Sequence, residues 1–285
     1  MPSRRSFVMH LAAAGAAVHT AASRAQQAIL AQQPDPNQFE TGDLVWPKPA
    51  GAFIPYAGVD PNKAAVSNGE LAEEEWQKLR VDFIRSTRAS AAQATAEDRT
   101  YQLQLAQVVE DMTYTSFINK YAADSSPEDF QTYGIGQLAY VGHVAFVEVD
   151  AATKTPYVVE AVYGKNLACE SCVQRVRYAD WLKARGDILV WHGRLKNLDA
   201  AQRGAVLAYA KSQQNKPYRF FNFDLADDSG FYCSKLVWQS VKKATGVAID
   251  GNDNPKRAIW FSPLQLMKSR AHIGLLSSPG NYRNT

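Results

Sequence analysis

Two valine-rich segments, Val141–Val149 (VGHVAFVEV) and Tyr157–Val162 (YVVEAV), flank a turn at Thr155 and Pro156. β-Branched runs joined this closely predict an antiparallel hairpin. Each run carries an ionisable side chain among apolar neighbours, His143 in the first and Glu160 in the second. His143, Ala145 and Val147 share one face by the two-residue period of a strand. A glutamate in such a setting is costly to bury without a partner. A register that sets Glu160 beside His143 supplies one, and fixes the imidazole tautomer at the same time.

The rest of the chain must be built around that hairpin. Short strands fit Thr41–Trp46 (TGDLVW) and Asp187–His192 (DILVWH). A helix fits Asn68–Arg85, with Ser67 and Glu70 at capping-box spacing and Trp76, Leu79 and Phe83 on one face. Another fits Ala96–Tyr121, striped by Tyr101, Leu105, Val108 and Met112, and Ser126, Pro127 and Asp129 mark a further helix start. Residues 65–133 therefore read as a helical insert. Helices also fit Asp199–Ser212, Phe231–Ala244 with Gly246 as its stop, and Ser262–Ser269. This order of elements is α+β and not a regular βαβ alternation.

The chain has 285 residues, with 31 Lys and Arg against 28 Asp and Glu. Its first 25 residues contain Arg4, Arg5 and Arg24 and no acid. A twin-arginine pattern at Ser3–Val8, an apolar run from Phe7 to Ala22, and small residues at Ser23 and Ala25 read as an export signal over 1–25. The remainder balances at 28 basic and 28 acidic residues. That argues against nucleic acid as the main partner, because phosphate binding needs a basic surface. No segment reaches the ~20 apolar residues of a membrane span. The expected product is a periplasmic or secreted protein without a membrane span, with a polar linker over 26–40 and one domain over 41–285.

Three cysteines remain. Cys169 and Cys172 form a C-x-x-C pair that an oxidising compartment would close into a disulfide. Thiol–disulfide exchange, or zinc held with His192, are the alternatives for the same pair. Cys233 is the odd thiol. It follows the turn residues Asp228, Ser229 and Gly230 and opens a helix. Backbone N–H groups and the macrodipole at such a position favour a thiolate and can hydrogen-bond an oxyanion. A nucleophilic thiol needs a base. Downstream of the signal the histidines are His143, His192 and His272. His143 leads because Glu160 can orient it, His192 is the reserve, and His272 is the weakest candidate.

Taken together, Gly42–Trp46, Gly142-His143-Val144, Tyr157–Val162, Lys216-Pro217-Tyr218 and Tyr232-Cys233-Ser234-Lys235-Leu236-Val237-Trp238 resemble the permuted papain-like amidases, the YiiX/YaeF-like branch of the NlpC superfamily. The resemblance implies a small antiparallel sheet or barrel packed on a nucleophile-bearing helix. It implies Cys233 as nucleophile, His143 as base and Glu160 as the third catalytic residue, with Tyr218, Trp46 and Tyr232 as candidate substrate-binding residues. Lys235 stands where this branch commonly has an acid, which makes the charge near the thiol more positive. The long insert and the Cys169–Cys172 pair also depart from the branch. The chemistry calls for no cofactor and no metal. The expected activity is amide hydrolysis through an acyl-enzyme, on a peptide or acyl-amide substrate such as the peptides of peptidoglycan. Thiol acyl hydrolysis or transfer on lipids or lipoproteins is the close alternative, and a non-catalytic binding module the more distant one.

Overall fold

The structure, a computed structural model, describes residues 33–49, 73–118, 142–165, 168–185 and 188–277. The expected signal, the Ser67–Glu70 capping pair and the helix start at Ser126–Asp129 lie outside the described residues. Six strands form one sheet: β1 (Leu44–Pro49), β2 (Ala145–Val149), β3 (Pro156–Lys165), β4 (Glu170–Arg177), β5 (Ile188–Leu195) and β6 (Ile273–Ser277). Their order is β4-β3-β2-β1-β5-β6 with every neighbour antiparallel, so the sheet is open and does not close into a barrel.

The hairpin expected from the valine runs is β2–β3, with Phe146 opposite Val159 and Val147 opposite Val158. Gly142, His143 and Val144 precede β2 and are not part of it. Strand alternation then sorts side chains between two cores. Leu44, Trp46, Phe146, Val159, Ala161 and Trp191 face the larger one. Val45, Ala145, Val147, Val158 and Val190 face the smaller one, with Phe39, Tyr178 and Trp181.

Helices α1 (Glu73–Ala91), α2 (Ala96–Asp111) and α3 (Tyr114–Ile118) make up the described part of the insert. A single helix to Tyr121 is not formed, because Met112 turns extended and the Thr113 hydroxyl accepts from the N–H of Ser116 to start α3. Trp76 is fully buried and stacks on Phe117 at 5.6 Å between ring centroids. Phe117 meets Phe220 and Trp260, each at 5.1 Å, and Phe83 stacks on Phe221 at 5.3 Å. The insert is thereby joined to the segment that carries Tyr218.

The strand β4, the helix α4 (Tyr178–Arg185) and the strand β6 have no counterpart among the elements expected from the sequence. β4 is an edge strand whose Glu170, Gln174, Arg175 and Arg177 interrupt the apolar alternation. A 3₁₀ turn at Pro36–Gln38 delivers Phe39 into the smaller core, edge-on to Tyr178 at 5.0 Å and to His192 at 4.8 Å.

The larger core is closed by α5 (Ala200–Ser212), α6 (Cys233–Thr245) and α7 (Pro263–Lys268), and α6 packs on β2, β3, α5 and α7. Gly246 ends α6 in the left-handed conformation, φ 76°, as expected of a glycine stop.

If the insert is a packed part of the body, Trp76→Ala should cost about 3–5 kcal/mol, the usual range for removing a buried aromatic. Urea denaturation measures this, and a loss below about 1 kcal/mol would show that the aromatic contacts do not carry stability.

Candidate active site

Extending the β2–β3 register by one residue sets Glu160 opposite Ala145, on the face of the smaller core. His143 lies two residues further out, diagonal to Glu160 and past the end of the strand. A ring at that rim can reach the carboxylate on one side and the other core on the other. The structure shows the first contact directly: His143 Nε2 lies 2.6 Å from Glu160 Oε2. Cys233 lies close enough to the same ring for its charge to raise the imidazole pKa, and with Nε2 committed to Glu160, Nδ1 is the nitrogen left to face the sulfur.

Cys233 is the first residue of α6, as its sequence context implies. Tyr232 is the extended N-cap residue, and its side chain does not cap the helix. The approach to this turn depends on Gly230. A Cβ there would meet Arg219 Cγ at 2.5 Å and the Pro217 carbonyl oxygen at 2.8 Å, so only glycine lets the two segments close. They then pair, Phe231 N–H to Pro217 C=O and Arg219 N–H to Phe231 C=O. Ser234 donates to the Phe261 carbonyl and fixes the first turn from beneath. The Cys233 side chain is 2% exposed, and its Sγ lies 4.0 Å from the Gly142 carbonyl oxygen.

Glu160 is fully buried and surrounded by donors. Besides His143 it accepts from Gln174 Nε2 at 2.7 Å, Trp181 Nε1 at 2.9 Å, and Arg185 Nη2 at 3.0 and 3.2 Å. Burial pushes its pKa up, but the Arg185 charge and the His143 hydrogen bond outweigh it and hold the carboxyl well below the usual range. Burial alone would lower the His143 pKa. The charge and hydrogen bond of Cys233, followed by those of Glu160, raise it instead to about 9. Gln174, Trp181 and Arg185 were not legible as site residues, because β4 and α4 were not. The available signal was the cost of Glu160 itself, which demands a cation as well as a histidine.

The other sequence candidates are placed as follows. Tyr218 is half-buried, its N–H bonded to the Ser171 carbonyl and its ring 5.8 Å from Tyr163. Trp46 and Tyr232 are wholly buried in the larger core. The Trp46 indole donates to the Pro263 carbonyl, and the Tyr232 hydroxyl accepts from the Phe261 N–H, so both pack the protein and present no surface to a ligand. His192 is bound to Asp43 at 2.7 Å, and Asp43 is held in turn by Arg194. Its contact with Phe39 puts it on the smaller-core face, away from Cys233. His272 sits just before β6, at the opposite edge of the sheet from β3.

Cys169 and Cys172 are joined by a disulfide, which removes them from zinc binding with His192. The described residues contain no cluster of three or more His, Cys, Asp or Glu set to hold a metal. Lys235 enriches the charge at the thiol less than expected. Its Nζ donates to the Asp224 carbonyl, and burial lowers its pKa to about 7 against the opposing pull of Asp227 and Asp224.

A family model described as permuted papain-like amidase enzyme, YaeF/YiiX, C92 family, matches residues 117–263, just over half the chain. No curated protein matches it. Among solved structures, the crystal structure titled metalloprotein yiiX from Escherichia coli O157:H7 is similar over 56% of this chain and 94% of that one. The two are 18% identical, with a TM-score of 0.38.

The titrations predict a pH signature in stability. His143 binds its proton more tightly when folded, so its contribution is fully present below its unfolded pKa of ~6.5 and is lost as pH rises through about 9. Glu160 has the opposite sense: its contribution is present above its unfolded pKa of ~4.3 and falls away in acid. The difference in unfolding free energy between wild type and His143→Gln, from urea titrations, should shrink between pH ~6.5 and 9. A difference that stays flat across that window would show that folding takes up no net proton at this site.

Proposed function

Because the chain belongs to the permuted papain-like amidase family, YaeF/YiiX type, we propose that it is a cysteine amidase in which Cys233 attacks, His143 moves the proton and Glu160 holds the ring. The observation that carries this reading is the His143 ring held by Glu160 at 2.6 Å and lying close enough to Cys233, at the start of α6, to feel its charge. An orienting acid, a base and a nucleophile in that order is the arrangement a thiol hydrolase needs.

In the proposed cycle the Cys233 thiolate adds to the amide carbonyl carbon, and the first backbone N–H groups of α6 receive the oxyanion. The intermediate collapses with cleavage of the C–N bond. His143 gives its proton to the departing amine, leaving a thioester on Cys233. Water then attacks the thioester while His143 takes a proton from it. The acid is released, and the thiolate–imidazolium pair is restored. Glu160 stays ionised throughout and keeps Nδ1 aimed at the sulfur.

The finer reading is an exported enzyme acting on cell-wall peptides. The twin-arginine pattern at Arg4-Arg5 supports export, and the Cys169–Cys172 disulfide suits an oxidising compartment. No described helix is long and apolar enough to cross a membrane. Peptidoglycan stems and cross-links are the amides such a compartment offers.

Cys233→Ala should abolish hydrolysis. His143→Ala and Glu160→Gln should lower kcat/KM by about 10²–10⁴-fold. Mass spectrometry of sacculi and of lipid extracts, incubated with wild type and with Cys233→Ala, tests the substrate. Cysteine-dependent release of stem peptides is the expected result. Release of fatty acid from the lipid fraction alone would replace cell-wall peptides with acyl lipids as the substrate. A Cys233→Ala protein with undiminished biological effect would make this a binding module.

A further inference from the structure

The site holds more negative charge than a thiol and an imidazole can balance. In the ion-pair state Cys233 is an anion, His143 a cation and Glu160 an anion, so the three carry one excess negative charge inside the protein. Burying an unbalanced charge is costly unless a fixed counter-charge is at hand. Arg185 is that counter-charge. Its side chain is 7% exposed, its Nη2 reaches both Glu160 oxygens at 3.0 and 3.2 Å, and its guanidinium lies over the Trp181 ring at 4.4 Å. Trp181 and Gln174 take the remaining acceptor positions of the carboxylate.

Resting on the amidase reading, we propose that Arg185 is a positioning residue for the Cys233–His143 pair: by neutralising Glu160 it makes the four-group chain Arg185–Glu160–His143–Cys233 neutral and sets the pH at which the thiol ionises. The alternation of sign along the chain is what makes this possible. Arg185 touches neither the sulfur nor any reacting atom, so it acts entirely through Glu160. A guanidinium is always charged, so its effect does not vary across the working pH range. The other groups near the pair do not duplicate it. On β4, Gln174 is neutral. On α4, Asp180 and Lys183 are exposed. Beside Cys233, burial raises the Tyr232 pKa and keeps the phenol neutral, and Lys235 turns its ammonium to the Asp224 carbonyl.

The sign of the effect follows directly. Removing a cation makes every nearby proton harder to lose. Arg185→Met should therefore raise the thiol ionisation midpoint by about one pH unit or more, a roughly tenfold loss of thiolate below the midpoint. Both limbs of the kcat/KM pH profile should move up together. Arg185→Lys should hold the midpoint within about 0.3 unit, since charge is kept. The double variant Glu160→Gln with Arg185→Met removes one charge of each sign and should return the midpoint to within about 0.5 unit of wild type.

Thiolate absorbance near 240 nm, measured against Cys233→Ala, follows the midpoint without requiring a reagent to reach the buried sulfur. An unchanged midpoint in folded Arg185→Met overturns the proposal and leaves the amidase reading standing. If Arg185→Met does not fold, the double variant decides: a midpoint displaced by a unit or more from wild type rules out charge balance. A wild-type thiol that stays protonated up to pH 8 overturns both readings. The expected shifts in a protein that cleaves no amide support the role of Arg185 in the ion pair and remove only the amidase assignment.

Discussion

A single buried carboxylate organises this protein. Glu160 draws donors from the segment before β2, from β4 and from α4, and so ties all three to β3. A carboxylate sealed from water is stable only when its lone pairs and its charge are both met. Here the lone pairs are met by four side chains and the charge by a guanidinium and an imidazole. The edge of the sheet is therefore held by a polar knot as well as by apolar packing. The same knot fixes the imidazole that faces Cys233, so structural and chemical roles cannot be separated at this position.

The two cores divide the work. The smaller core, under the β2–β3 hairpin and α4, supports Glu160, Trp181 and Arg185. The larger core supports α6 and the aromatic segment 218–223, and the insert joins it through Trp76, Phe83 and Phe117. His143 stands at the rim of the sheet where the two meet. Cys233 and Glu160 thus belong to separately packed layers, on either side of the His143 ring. Interiors packed at crystal-like density shift in discrete steps and resist gradual deformation, so this placement keeps the distance between the layers fixed.

How much of this was legible in the sequence depended on how local each signal was. The hairpin, the α+β order, and the placement of Cys233 at the start of a helix follow from valine runs, turn residues and glycine stops within a few positions of one another. His143 and Glu160 were paired by the argument that a strand glutamate needs a partner. The remaining partners were hidden because β4 mixes charged and apolar residues along a sheet edge. Nothing in Tyr178–Arg185 announces that Trp181 and Arg185 point at a residue more than 20 positions earlier. Trp46 and Tyr232 suggested a cleft by analogy. Their burial shows that a large aromatic beside a motif more often fills a core. Lys235 was read by its charge alone, whereas its Nζ turns to the Asp224 carbonyl and desolvation lowers its pKa to about 7, so it adds less charge near the thiol than its type suggests.

The seclusion of Cys233, 2% exposed at the head of α6, has a kinetic meaning. A sulfur this little exposed gives reagents and substrates alike a narrow approach, and any motion that widens it would scale the observed rate by the fraction of time the site is open. Peroxide and other oxidants meet the same narrow approach, which protects the sulfur from the irreversible steps of oxidation. A bulky acyl donor with binding energy to spend on opening gains what small diffusible molecules lack, and selectivity begins before any bond is made.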